Sequence, residues 1–275
     1  MPLIPLEDSF TDVLQKAQIG RRINDERLAA MAGVSMEDLK AAKEGKPLIA
    51  VVRRISRHLR LNPDAMEALV RRGWYPKQTL FPRGFSMFNT RCGDMTVNSY
   101  LVWDSRSKEA AAFDTGADSG EMIDFIQSEG LRLNFILITH SHPDHLGGLE
   151  KLVAATKASV WSSDREPLAF PGARTFKEHA YFHMGTVAIK TFLTCGHSPG
   201  LTTFFVTGLS WPLAIVGDSL FAGSIGGSET GFEEQYKNDR EKIFSLPKDT
   251  VIAPGHGPMT TLAEEKEHNP FFAGN

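Results

Sequence analysis

The apolar positions of this chain change their period once. Over residues 7–72 they recur every three or four residues, as in SFTDVLQKA, INDERLAAMA and PLIAVVRRISRHLRL, the spacing that lays one buried stripe along an α-helix. GVS at Gly33–Ser35, EGKP at Glu44–Pro47 and NPD at Asn62–Asp64 punctuate the run with turns. Asn62 before Pro63 joins an N-cap to the helix position that best tolerates proline. A last helix is therefore expected from there to about Arg72, the fifth of five short ones.

From Trp74 onward the texture is different. SYLVWD, EAAAFD, NFILITH, ASVWSS, TFFVT, PLAIVGD and TVIAPG read as strands separated by helical or loop segments. Asp114, His140, Asp218 and His256 each follow such a strand, where a rigid scaffold can hold chemistry. The change falls near residues 73–77 and divides the chain into a helical unit, residues 1–76, and a second unit, residues 77–275. No internal repeat or low-complexity tract interrupts either.

Composition narrows the class. A chain of 275 residues, 41% hydrophobic, can bury a sizeable core. A net charge of −3 argues against a dedicated nucleic-acid coat. Two cysteines, Cys92 and Cys195, are too few for a disulfide scaffold or a thiolate cluster and suit a reducing compartment. No apolar run approaches the roughly 20 residues that span a bilayer, and MPLIPLEDSF lacks the basic and apolar regions of a secretory signal. The expectation is a cytoplasmic globular protein with no membrane partner.

The chemistry gathers in ITHSHPDHLGG, which holds His140, His142, Asp144 and His145 within six residues. After the strand the chain must turn, and Pro143 with Asp144 suits the start of a helix running through LEKLVAAT. His140 and His142 can point the same way from an extended loop, while Asp144 and His145 lie past a turn and face a neighbouring point. Two metals about 3.5–4 Å apart would need such a split set. TCGHSPG adds His197, IVGDSLF adds Asp218 and IAPGHGPMT adds His256, each between small turn-formers at a strand end. Imidazole and carboxylate suit zinc, and also iron or manganese. Five of the nine histidines belong to this set; His58, His179, His183 and His268 are expected at the surface or in packing.

The spacing H-x-H-x-D-H, then GHSPG, GDSLF and PGHGP, resembles the metallo-β-lactamase superfamily and, more narrowly, its glyoxalase II branch. The likeness runs from about Phe85 through NSYLV and FDTGA to HNPFF. It implies an α+β fold: a four-layer αββα sandwich of two mixed sheets covered by helices, here preceded by a small all-α five-helix domain. It implies that His140, His142 and His197 bind a first divalent ion, that Asp144, His145 and His256 bind a second, and that Asp218 bridges them. Asp144 would also orient the attacking water and move its proton, and Asp114 would position ligand histidines. The activity implied is dinuclear, most readily zinc-dependent, hydrolysis of a small-molecule thioester of the hydroxyacylglutathione kind or a related small ester. A lactonase is the alternative on the same fold. His256 favours this dinuclear chemistry over a mononuclear iron dioxygenase.

The chain also departs from the branch. Two-domain members add a C-terminal helical domain, whereas this sequence stops at HNPFFAGN and is expected to resemble the compact, single-domain form. Relatives show G-R-T-D where SIGGSET stands here, so Gly227 replaces an arginine and removes a cation from the pocket. Cys195 stands where proline is usual and is read as a small apolar filler. No substrate-binding residue is singled out.

The helical unit resembles the five-helix helix-turn-helix domains of phage-repressor type, with Ala29 and Gly33 allowing close helix packing. A DNA-reading helix should offer donors at its N-terminal end, but Glu37 and Asp38 stand there. Residues 1–76 carry a net charge of only +3 and residues 77–275 carry −6. Packing, dimerisation into a homo-oligomer, or covering the pocket is expected of this unit in preference to DNA binding. A DNA-binding regulator with a ligand-sensing second domain is the competing class.

Overall fold

The structure, a computed structural model, describes residues 3–77 and 81–274. Five helices come first: α1 (Phe10–Gly20), α2 (Asp25–Ala32), α3 (Met36–Lys43), α4 (Ile49–His58) and α5 (Pro63–Val70). Local chemistry fixes their ends. Asn24 Oδ1 accepts from Arg27 N, Ser35 Oγ from Asp38 N, and Asn62 Oδ1 from both Asp64 N and Ala65 N, satisfying amide groups that a helix start leaves without partners. Gly33, at φ 62°, closes α2 in the left-handed conformation that glycine adopts without penalty.

The strands and remaining helices follow. β1 (Phe85–Cys92), β2 (Met95–Trp103), β3 (Glu109–Phe113), β4 (Arg132–Leu137), β5 (Ser159–Ser163) and β6 (Arg174–Phe176) form one six-stranded sheet in that order. Helices α6 (Gly120–Ser128), α7 (Pro143–Leu146) and α8 (Leu149–Thr156) are interleaved with it. The second sheet draws on β7 (Tyr181–Met184), β8 (Val187–Leu193), β9 (Thr202–Thr207), β10 (Leu213–Gly217), β13 (Val251–Pro254) and β14 (Thr260–Thr261), in the order β14-β13-β10-β9-β8-β7. Between β10 and β13 lie the small pair β11 (Leu220–Phe221) and β12 (Ser224–Ile225), then α9 (Phe232–Asn238) and a π-helical turn, Asp239–Ile243; α10 (Leu262–His268) follows β14. Both sheets are mixed: β3, β4, β5 and β6 run parallel, as do β10 and β13, and the other neighbours are antiparallel.

Three apolar clusters separate four layers. Phe85, Tyr100, Phe113, Leu137, Phe204, Ile215 and Ala253 fill the space between the sheets. Met122, Ile123 and Ile126 of α6, with Leu149 and Leu152 of α8, cover the outer face of the first sheet on Leu101, Ala112 and Ile136. The outer face of the second sheet, presented by Ala214, Val216 and Ile252, shares one continuous cluster with Val13, Leu28, Leu39, Val52 and Met66 of the five helices and with Phe232 and Phe271. The N-terminal helices thus pack on their own chain. Asn62 ties them to its end, its N–H donating to Pro270 O at 2.7 Å and its side-chain amide to Ala273 O.

The α+β, four-layer αββα architecture is the expected one, and differences are local. Helix α5 stops at Val70, two residues short of the expected end. The helix expected from Pro143 onward is broken at Gly147–Gly148, because the chain there presses on the turn after β3: a Cβ on Gly147 would lie 2.6 Å from Ala117 O, and one on Gly148 2.7 Å from Thr115 O. Strands β1, β6, β7 and β8 escape a search for long apolar runs. β1 has a second half, Asn89–Cys92, with no buried residue, and β7 alternates exposed and buried positions over only four residues.

Candidate metal centre

Parallel pairing brings strand ends to one edge of the sandwich. Asp114 follows β3 and His140 follows its neighbour β4, while Asp218 follows β10 and the loop of His256 follows its parallel partner β13. His197 comes from the connection between β8 and β9. The seven His and Asp residues singled out in the sequence meet there in two groups. One oxygen or nitrogen from each of His140, His142, His197 and Asp218 lies within 4.8 Å of the others, and the same holds for Asp144, His145 and His256.

The imidazoles are oriented from behind. His145 Nδ1 lies 2.8 Å from Asp114 Oδ2, His197 Nδ1 donates to Gly227 O at 2.7 Å and His256 Nδ1 donates to Thr96 O at 2.8 Å. His140 Nδ1 lies 3.0 Å from Thr139 Oγ1. Each contact turns Nε2 inward and selects the tautomer that leaves its lone pair free for a cation. His142 differs: its Nδ1 is the inward atom, 3.0 Å from His140 Nε2 and 3.1 Å from His197 Nε2. Asp218 reaches both groups, with Oδ2 3.5 Å from His197 Nε2 and from His256 Nε2, and Oδ1 3.4 Å from His145 Nε2. Metal–ligand bonds of about 2.0–2.1 Å give tetrahedral ligand–ligand edges of roughly this length.

Two further observations fit a divalent pair. Buried His145 Nε2 and Asp218 Oδ1 have no hydrogen-bond partner, an expensive arrangement unless something else coordinates them. Gly255 leaves the space open: a Cβ there would stand 2.1 Å from Asp218 Oδ1 and 2.7 Å from His145 Cε1. Two hard-to-borderline cations with nitrogen and oxygen donors match this set.

The protein's own charges are strongly coupled. Burial would raise the Asp218 carboxyl, but His145 and the other histidines hold it well below the usual range. Burial would lower His145, yet Asp218 and Asp114 push it up to about 10, and hydrogen bonds to Asp144 and Asp218 carry His256 to about 11. His256 in turn holds Asp144 at about 2. Burial depresses His140 and His197. The second group therefore concentrates negative charge that a cation can replace protons in balancing.

Asp114, beside His145, accepts also from Thr139 N and Oγ1 and is held at φ 55°. Cys195 is buried, and burial raises its thiol, consistent with a filler. Away from the cluster, His268 packs on Trp74, His179 on Phe192 and His183 on Tyr181.

Sequence reasoning missed the staples. Glu166 accepts from Ser141 N and Oγ, Ser198 Oγ and Gly200 N, clamping the His140–His142 loop to the His197 loop. Asn98 donates to Pro254 O and Gly257 O and so holds the His256 loop from both ends. Glu166 lies in SDREPL, an ordinary charged turn that carries no motif. Lys16 of α1 was missed too: its Cε lies 3.7 Å from where a Gly227 side chain would begin, so the helical unit brings a cation beside the loop whose carbonyl fixes His197.

The fold and the paired His/Asp groups define a metallo-hydrolase of the αββα type. The Metallo-beta-lactamase superfamily profile matches residues 92–256, and the chain belongs to that superfamily. Probable metallo-hydrolase YqgX of Bacillus subtilis (strain 168) is 30% identical over 204 residues, which cover 66% of this chain and 95% of that protein. Hydroxyacylglutathione hydrolase GloC of Haemophilus influenzae (strain ATCC 51907 / DSM 11121 / KW20 / Rd) is 28% identical over 198 residues, 64% of this chain and 92% of that one. The crystal structure of BLEG-1 B3 metallo-beta-lactamase superposes with a TM-score of 0.61 at 28% identity, covering 69% of this chain and 100% of that chain. Among the described residues no helix is long and apolar enough to cross a membrane.

Proposed function

We propose that the protein is a dinuclear metal-dependent hydrolase of small thioesters, of the hydroxyacylglutathione kind. The observation that carries this reading is the two His/Asp groups joined by Asp218, with orphaned His145 Nε2 and Asp218 Oδ1 between them. The likeness to a protein named hydroxyacylglutathione hydrolase supports the substrate class. His140, His142 and His197 would hold one ion, Asp144, His145 and His256 the other, and Asp218 would serve both. Zinc is the proposed ion. Bound there, such a pair would lower the pKa of the attacking water and polarise the attacked carbonyl.

The chain's own residues do the rest. Asp144, partly exposed, would orient the attacking water, take up its proton and pass it to the leaving thiolate. Asp114 fixes the His145 ring, and Glu166 keeps the two ligand loops in register. We further propose residues 1–76 and 77–275 as the two units of the chain, the first covering the second.

A panel of thioester, lactone and phosphodiester substrates on the zinc-loaded protein tests the reading. Thioester hydrolysis should lead by at least tenfold in kcat/KM. Lactone hydrolysis in the lead would replace the thioesterase with the lactonase, and phosphodiester hydrolysis would reject both.

A further inference from the structure

The N-terminal segment and α1 reach the rim of the His/Asp cluster. Pro5 and Glu7 lie over the loop of His256: a Cβ on Gly257 would stand 3.1 Å from Glu7 N and 3.6 Å from Pro5 O. Lys16 crosses Phe221, its Nζ 5.0 Å from the ring centroid, and that ring meets His256 edge-on at 5.8 Å. On its other side Lys16 approaches Gly227, whose carbonyl fixes His197. The ammonium therefore stands between the loops that carry the two groups.

Its position is built. Lys16 Nζ donates to Asp8 Oδ2 at 2.5 Å and to Ile225 O at 2.8 Å, and Ser224 Oγ donates to the same Asp8 oxygen. An ammonium has three donors, so one remains on a side chain that is 20% exposed. A second cation, Arg165, lines the groove of His142, His197 and Gly227, and its guanidinium meets Cys195 Sγ at 3.8 Å. Among the described residues its guanidinium meets no carboxylate or carbonyl that would aim it, unlike the ammonium of Lys16.

We propose that Lys16 is a substrate-binding residue: the helical unit completes the site, and its spare N–H donates to a carboxylate on the thiol part of the thioester. This rests on the thioesterase reading and narrows it to thiols that carry a carboxylate. It also gives the helical unit a role in recognition that needs no nucleic acid.

The test compares two thioesters with the same acyl group, one on glutathione and one on uncharged N-acetylcysteamine, with the full-length wild type, Lys16→Met, Lys16→Arg and Arg165→Met. Binding of the non-hydrolysable thioether S-hexylglutathione is measured in parallel by calorimetry. A charge-assisted hydrogen bond predicts that Lys16→Met raises the KM ratio between the two thioesters about tenfold toward the uncharged one, with the kcat ratio retained, and weakens the thioether about tenfold. Lys16→Arg should restore most of both. Parallel losses on both substrates, an unchanged thioether affinity, or a selective loss in Arg165→Met instead would overturn the proposal. If wild type hydrolyses neither thioester, the thioesterase reading fails, and thioether binding still decides the role of Lys16.

Discussion

Gly255→Ala replaces a hydrogen with a methyl group at a point where the structure has no room for one. The new methyl carbon would lie 2.1 Å from Asp218 Oδ1, 2.7 Å from His145 Cε1 and 3.3 Å from Asp218 Cγ. Ordinary contacts are about 3.5–4.0 Å, so the carboxylate or the backbone must move by more than about 1 Å. Asp218 cannot retreat freely, since it is buried and ringed by His145, His197 and His256. Overpacking of this kind costs roughly 1–3 kcal/mol of stability. The larger effect falls on the site: a misplacement of about 1 Å costs on the order of 100-fold in rate, and disturbed ligand positioning costs roughly 10–100-fold in metal affinity. The assay is zinc content after dialysis against a weak chelator, with thioester turnover and a melting curve beside it. Gly73→Ala serves as the control, because the nearest atom to its new Cβ is 3.8 Å away. A Gly255→Ala protein that keeps two zinc ions and wild-type turnover would refute the assignment of Asp218 as the bridge.

Asp218→Ala should lower turnover by more than the roughly 100-fold typical of an outer ligand change, and far more than His268→Ala, whose ring packs on Trp74; equal effects in a kcat/KM comparison would contradict the site. Glu166→Ala leaves donors of Ser141, Ser198 and Gly200 without their common acceptor, and should cost about 1–3 kcal/mol in denaturant melts while raising the chelator sensitivity of zinc. A chain beginning at Trp74 contains every proposed metal ligand but uncovers Ala214, Val216, Ile252, Phe232 and Phe271; light scattering should show it aggregating, and any soluble folded fraction should still take up zinc. DNA affinity of the full protein, read by gel shift, should be weak and vanish near physiological salt, since α3 opens with Glu37 and Asp38; salt-resistant, sequence-selective binding would favour the regulator.

What the sequence determined by itself was whatever is encoded locally. The helix start at Asn62 depends on a side chain and amides two or three residues away, so its signal is contained in a short window. The group in ITHSHPDHLGG was visible for the same reason, because four donor side chains within six residues have few structural uses. His197, Asp218 and His256 could be named as candidates from their strand-end loops, but only strand pairing, β10 parallel to β13 and antiparallel to β9, which in turn pairs β8, carries those loops to one edge. Tertiary structure alone decided the break at Gly147–Gly148, which arises from backbone pressing on the turn after β3. It alone decided the roles of Glu166 and Lys16, ordinary charged residues whose partners lie 25–34 and 209 positions away for Glu166's clamp and the Lys16–Ile225 contact. A charged side chain on a turn or helix is usually solvated, and nothing in its neighbours along the chain distinguishes the few that fold onto a distant loop. The placement of the five helices was of this kind as well: their apolar stripes were legible, but the surface they cover, the outer face of the second sheet, exists only once strands separated in sequence have paired.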